Sequence, residues 1–185
     1  MRYRTFRNTD LRVSEIGFGV GTISTGWWGQ TPDADAVRLL HQALDLGITF
    51  YDTADAYGNG RGEGLLARAF QGQRSRIVIA TKFGYDFYNH PGERKGQQEL
   101  PQDFSKAFVK YGCGQSLRRL GTDTIDLYQI HNPRLEDIHS GALFETLREL
   151  RAEGKISYFG VAESAMQFKG IPLTDPRAHA VLHPG

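Results

Sequence analysis

Pro32-Asp-Ala-Asp-Ala-Val-Arg-Leu-Leu-His-Gln-Ala-Leu-Asp-Leu-Gly-Ile-Thr-Phe-Tyr-Asp-Thr53 decides the reading of the fold. Val37, Leu40 and Leu44 recur at helical spacing, and Leu39, Ala43 and Leu46 widen that apolar face. Pro32 and Asp33 suit the start of the helix, and Gly47 suits its stop. The run that follows, Ile48–Thr53, is β-rich and ends in polar residues. A helix that passes through glycine into a short strand is one step of a strand–helix alternation.

The same step recurs on both sides. Strand-like runs fall at Glu15–Gly19, Ile48–Thr53, Arg76–Lys82, Thr124–His131 and Ile156–Val161. Helical stretches fall at Asp33–Leu46, Gly62–Phe70, Gln102–Leu120 and Ser140–Glu153, the last stopped by Gly154. Such alternation predicts parallel strands joined by crossover helices. Two architectures satisfy it, an open doubly wound sheet and a closed barrel. The open dinucleotide fold calls for Gly-x-Gly-x-x-Gly after its first strand. Gly17-Phe-Gly19-Val-Gly21-Thr lacks the third glycine, and the glycines from Gly58 to Gly64 also miss the spacing. No Gly-x-x-x-x-Gly-Lys-Ser/Thr phosphate loop occurs either. The expected fold is therefore α/β, a (β/α)₈ barrel. Before it, Arg2–Glu15 reads as a hairpin turning at Asn8-Thr-Asp10. The long segment Phe83–Pro101 carries Tyr85, Phe87 and Tyr88 without periodicity. It reads either as a substrate-side loop over the barrel mouth or as a surface excursion.

Composition excludes several classes. The chain has 185 residues, 39% hydrophobic and 23% charged, which suits a globular domain. A net charge of +1 with interspersed signs offers no basic face for nucleic acid and no polybasic membrane patch. Apolar runs are too short to span a bilayer, and the opening Met1-Arg-Tyr-Arg-Thr-Phe6 does not read as a secretory signal. The lone Cys113 excludes an internal disulfide, so a cytoplasmic setting is expected.

Three strand ends carry ionisable residues in phase. Residues Ile48, Phe50 and Asp52 share a face, as do Val78, Ala80 and Lys82, and the odd residues from Ile125 to His131. If these faces line the barrel, Asp52, Lys82 and His131 project into its mouth, where Asp52 and Lys82 can pair. Tyr57 lies just beyond the second strand and can turn back over the same opening. Together they suit carbonyl reduction. A developing alkoxide needs a proton, and tyrosine, with a reference pKa of about 10, becomes an effective acid or base when a lysine cation stands beside it. An aspartate holds that lysine, and a histidine orients the carbonyl oxygen. None of these groups supplies electrons, so a hydride cofactor is required. Each residue also has a plainer reading. Asp52 could cap a loop, with Asp55 as a rival acid. Lys82 could snorkel, His131 could be a loop residue, and Tyr57 could pack on the rim.

Four stretches carry a family resemblance: Tyr51-Asp-Thr-Ala-Asp-Ala-Tyr-Gly58, Ala80-Thr-Lys-Phe-Gly84, Arg119-Leu-Gly-Thr-Asp-Thr-Ile-Asp-Leu-Tyr-Gln-Ile-His131 and Glu153-Gly-Lys-Ile-Ser-Tyr-Phe-Gly-Val161. In order and approximate spacing they resemble the aldo-keto reductases. The resemblance implies a TIM barrel whose bottom is closed by an N-terminal hairpin. It implies Tyr57 as acid/base, Lys82 and Asp52 as its tuning pair, and His131 as the residue that orients the carbonyl. It further implies NADP(H) as cofactor, with Gly19, Gly21, Asp52, Asn132 and Ala162 as cofactor contacts, and a small-molecule carbonyl substrate.

Several features depart from the family pattern. Ala162 stands where a serine often holds the nicotinamide amide, and Ser157 where arginine is common. Gly112 and Gly114 fall inside the expected third helix, each at a cost of about 1 kcal/mol relative to alanine, which predicts a weakened or kinked stretch. A complete barrel takes about 250 residues, whereas residues 1–162 supply the hairpin and about five β/α units of eight. Residues 163–185 read as a divergent tail punctuated by Pro172, Pro176 and Pro184. His179 and His183 are spaced like a metal pair but lack a third ligand, so no metal is expected. An incomplete barrel predicts impaired cofactor binding and self-association through exposed strand edges. The competing function is a noncatalytic or regulatory protein on the same scaffold.

Overall fold

The computed structural model of the chain describes residues 1–27, 29–91, 100–139 and 141–162. Trp28, the charged stretch 92–99, Ser140 and the tail 163–185, with His179 and His183, lie outside the described residues.

The chain opens with an antiparallel hairpin, β1 (Tyr3–Thr5) and β2 (Arg12–Ser14), in which Tyr3 faces Ser14 and Thr5 faces Arg12. Asn8 takes a left-handed φ of 61° at its turn, a conformation asparagine tolerates well. Five parallel strands follow: β3 (Gly17–Gly19), β4 (Phe50–Asp52), β5 (Val78–Phe83), β6 (Ile125–His131) and β7 (Ile156–Ala162). They pair strictly in sequence order, β3-β4-β5-β6-β7. This is the order of strands around a β/α barrel, and it matches the five runs read from the sequence.

Helices α1 (Gly21–Ser24), α2 (Asp33–Asp45), α3 (Arg61–Ala69), α4 (Lys106–Leu120), α5 (Leu135–His139) and α6 (Ala142–Ala152) connect the strands, with a 3₁₀ turn at Arg74–Arg76. Gly47 and Gly154 end α2 and α6 with φ of 87° and 73°, where a side chain would be strained. The buried stripe of α2 is Ala36, Leu40, Ala43 and Leu44. It is narrower than its sequence suggests, because Leu39 and Leu46 are exposed. A single core between strands and helices collects Leu40, Tyr51, Leu65, Ile79, Val109, Tyr128 and Leu147, among others. Each fully buried leucine there contributes about 1.5–3 kcal/mol.

Gly112 and Gly114 do not interrupt the helix: α4 runs continuously from Lys106 to Leu120. Packing overrides the local propensity. Phe108, Val109, Cys113, Ser116 and Leu120 are all buried, and a β-carbon on Gly112 would lie 3.5 Å from the Tyr128 hydroxyl.

The hairpin is tied to the N-terminal side of the strands. Ser14 N–H donates to Thr49 Oγ1 at 3.1 Å, and Thr49 N–H donates to Ser14 Oγ at 2.9 Å. The Tyr158 hydroxyl donates to Asp10 Oδ1 at 2.7 Å, and Phe6 meets Phe50 edge-on at 5.8 Å. These contacts place the hairpin across the bottom of the barrel, leaving the strand C-terminal ends as the mouth.

Candidate active site

The strand phase delivers the charged residues to that mouth. On β4, Tyr51 turns into the helix layer, fully buried and 4.8 Å from the Phe70 ring. The alternation of β-strands therefore sends Phe50 and Asp52 to the opposite face. On the neighbouring strand Ala80 is in register with Asp52, and Lys82 lies one inward position further along. Lys82 is 6% exposed, and its ammonium has two partners: Asp52 Oδ1 at 2.5 Å and the Thr53 carbonyl at 2.7 Å. Burying that cation is tolerable because both partners are in place. The other oxygen of Asp52 accepts Gln129 Nε2 at 3.3 Å, and Gln129 is itself the register partner of Lys82. Three strands thus converge on one carboxylate.

Tyr57 arrives from the loop after β4. That loop is pinned back along β5, with Thr53 N–H donating to Ala80 O at 2.8 Å and Asp55 N–H to Lys82 O at 3.1 Å. Gly58 completes the turn with φ of 59°, and a β-carbon there would lie 2.3 Å from the Ser24 carbonyl, so only glycine fits. The turn brings the Tyr57 ring over Lys82, whose Nζ is 4.9 Å from the ring centroid. His131, the last residue of β6 and 8% exposed, stands edge-on to Tyr57 at 5.7 Å. Asp52, Tyr57, Lys82 and His131 therefore form one cluster. Asp55, the rival acid, is fully buried and turned away: its carboxylate faces the Tyr128 and Tyr88 side. There burial, with a smaller contribution from that carboxylate, raises the pKa of both tyrosines.

The match to the description "Aldo/keto reductase family" spans residues 15–171 of the chain. The chain belongs to this family. Among its relatives is the aldo-keto reductase YhdN of Bacillus subtilis (strain 168), 35% identical over 186 residues, covering 99% of this chain and 52% of that protein. Two solved structures are similar. The aldo-keto reductase AKR11C1 from Bacillus halodurans, in its holo form, matches with a TM-score of 0.76 at 37% identity, over 88% of this chain and 50% of the other. The glycerol dehydrogenase AKR11B4 from Gluconobacter oxydans matches with a TM-score of 0.73 at 34% identity, over 89% and 50%. The chain spans about half the length of these relatives.

The remaining expected aldo/keto reductase positions divide into three kinds. Gly19 is the register partner of Asp52 and has open space where a side chain would stand. Gly21 lets Tyr57 approach, since a β-carbon there would lie 3.2 Å from the ring. Gly19 leaves open space in line with Asp52 that a flat cofactor ring can enter, which fits a nicotinamide, whereas the space at Gly21 is taken by the Tyr57 ring. Asn132 and Ala162 are engaged by the protein itself. The Asn132 side chain donates to the Tyr85 hydroxyl at 3.1 Å, and its backbone N–H donates to Ala162 O at 2.7 Å.

Trp27 stands edge-on to Tyr57 at 6.5 Å and is 42% exposed. Tyr85 and Phe87 are buried together with Ala56, the residue before Tyr57. The described part of the loop after β5 is thus an anchored wall of the site. Sequence reasoning missed Gln129, although it shares the odd-numbered face of His131. It also missed Gln102, whose amide donates to the carbonyls of His131 and Asn132 at 2.8 and 3.1 Å, and for which no sequence signal existed.

Proposed function

We propose that this site reduces an aldehyde, ketone or sugar carbonyl with hydride from NADP(H). The observation carrying the reading is the Lys82 ammonium, held by Asp52 and Thr53 beneath the Tyr57 ring with His131 alongside. As hydride adds to the carbonyl carbon, negative charge gathers on the oxygen. Tyr57 gives its hydroxyl proton to that oxygen, and the Lys82 cation stabilises the phenolate left behind. Asp52 and Gln129 keep Lys82 from swinging away, while His131 hydrogen-bonds and orients the carbonyl oxygen. Gly19, Gly21 and Asp52 would hold the nicotinamide end of the cofactor, which when bound supplies the hydride. Asn132 and Ala162 would flank it from the ends of β6 and β7.

Trp27 and Tyr85 give the pocket an aromatic rim that suits the carbon skeleton of a small carbonyl compound. The name of the glycerol dehydrogenase relative favours including small hydroxylated ketones among the trial substrates. The test is NADPH consumption by the chain with a panel of aldehydes, ketones and open-chain sugars, run beside Tyr57→Phe. The variant should lose roughly 10²–10⁴-fold in turnover, the span general acid catalysis contributes, and keep its NADPH affinity by tryptophan fluorescence. Saturable NADPH binding without turnover of any carbonyl would favour the noncatalytic reading instead.

A further inference from the structure

The loop after β5 is cinched at its neck. Tyr85 and Gln102 form an antiparallel bridge, flanked by Asp86 N–H to Pro101 O at 2.8 Å and Asp103 N–H to Gly84 O at 2.8 Å. These two residues also reach the same place. Gln102 Nε2 donates to the His131 carbonyl at 2.8 Å and to the Asn132 carbonyl at 3.1 Å. The Tyr85 hydroxyl accepts Asn132 Nδ2 at 3.1 Å, and its ring meets the His131 ring edge-on at 4.9 Å and 74°.

The place they hold is conformationally costly. Asn132 sits at φ of 48°, in the left-handed region, immediately after the last residue of β6. Asparagine tolerates this better than most residues, yet such a turn persists only when its surroundings fix it. The peptide that makes the turn carries the His131 carbonyl, so the turn also sets the direction in which the imidazole leaves the strand. Ala162 O takes the Asn132 N–H from the far side. On the near side, the clasp supplies two hydrogen bonds to the turn's carbonyls and one to the Asn132 amide.

We propose that Tyr85 and Gln102 act as one clasp whose role is to position His131. It fixes the His131–Asn132 turn through its carbonyls and amide, and it fixes the imidazole plane through the Tyr85 ring. The catalytic meaning of that positioning rests on the reading of His131 given above, while the clasp itself does not. A residue that presents a hydrogen bond to a developing charge must be held to a fraction of an ångström. The aromatic wall and the orienting histidine are therefore one mechanical unit, so changes in the loop reach His131 without touching the strand.

Tyr85→Phe keeps the ring and removes only the hydroxyl, and Gln102→Met keeps the length and removes only the amide. Both are mild enough to fold, with melting temperature recorded as the control. The direct readout is the His131 ring proton signal by NMR in the 185-residue chain, assigned by its loss in His131→Ala. In each variant the signal should move and broaden while the chain stays folded. The double variant should resemble the worse single variant, because the two residues act on one turn. In carbonyl reduction, kcat should fall on the order of tenfold to a hundredfold. An unmoved His131 signal in both folded variants would overturn the clasp, whatever the melting temperature does. Wild-type turnover in His131→Ala would instead overturn the role given to His131, and the NMR result would still decide the clasp.

Discussion

Arg119 Nε lies 2.6 Å from Oε2 of Glu63, a carboxylate with no solvent exposure. The other oxygen of Glu63 accepts the Thr81 hydroxyl at 2.7 Å, next to Lys82 on β5. The guanidinium also donates to the Tyr88 hydroxyl at 3.0 Å and lies 5.6 Å from the ring centroids of both Phe87 and Tyr88. One ion pair therefore joins α3, α4, β5 and the aromatic wall of the site. Burial opposes the Arg119 cation, but Glu63 and Tyr88 outweigh it and hold its pKa above the ordinary arginine value.

Removing one partner leaves the other charge buried alone. Arg119→Met should cost about 3–5 kcal/mol in urea unfolding. The double replacement Glu63→Leu with Arg119→Met should recover much of that loss, since no uncompensated charge remains. A single variant within about 1 kcal/mol of wild type would place the pair among solvent-screened surface bridges.

Gly114 offers the opposite experiment. It lies inside α4 with no strained φ, and a β-carbon there would meet nothing within 4 Å. Gly114→Ala should stabilise the chain by about 0.4–1 kcal/mol, because alanine restricts the unfolded chain and favours helix. Gly58→Ala, whose β-carbon would strike the Ser24 carbonyl, should destabilise it. Paired urea midpoints measure both, and a destabilised Gly114→Ala would reveal packing that the open space does not suggest.

These glycines also mark how far the sequence could be read. Periodicity exposed α2 and the strand phases because apolar burial repeats at fixed intervals, and the phase alone sent Asp52, Lys82 and His131 to one mouth. The helix through Gly112 is held by Val109, Cys113 and Leu120 against the core, which no local rule contains. Leu39 and Leu46 looked like face-widening residues, but α2 is covered on one narrow stripe only. The short α1 and α5 left no periodic trace, since neither spans two turns. The Tyr85–Gln102 clasp was hidden for another reason: its partners lie at opposite ends of an aperiodic loop, and the turn they hold follows β6, far along the chain.

Lys82 allows a sharper test of the proposed chemistry than deletion of the acid. Lys82→Met keeps the stem and removes the cation beside Tyr57. Turnover should fall, because the phenolate left when Tyr57 gives up its proton has lost its stabilising charge. The freed Asp52 would retain Gln129 as a partner. An unchanged rate would make Lys82 a structural residue and would remove the main support for Tyr57 as the acid.

The buried acids of the helix layer predict a loss of stability at high pH. Burial raises the pKa of Tyr51, Tyr88 and Tyr128, and pushes the Cys113 thiol up to about 12. Tyr51 is further committed by donating its hydroxyl to the Leu40 and Ile48 carbonyls at 3.2 and 3.1 Å. In the unfolded chain these groups ionise near their reference values, about 8.5 for the thiol and about 10 for the phenols. Above those values the unfolded state binds fewer protons than the folded state, so stability falls as pH rises. The contribution is fully present below about pH 8.5 and declines through the range approaching the raised folded values. Urea midpoints should therefore be level between about pH 7 and 8, begin to fall from about pH 8.5 as the thiol value is crossed, and fall more steeply from about pH 10 as the phenol values are crossed. Tyrosinate absorbance distinguishes this origin from a general alkaline effect. The tyrosinate signal of the fully buried Tyr51 and Tyr128 should appear only in step with unfolding. Ionisation of every tyrosine while the chain is still folded would show that the layer around Tyr51 and Tyr128 admits solvent, and the predicted fall in stability would then have another cause.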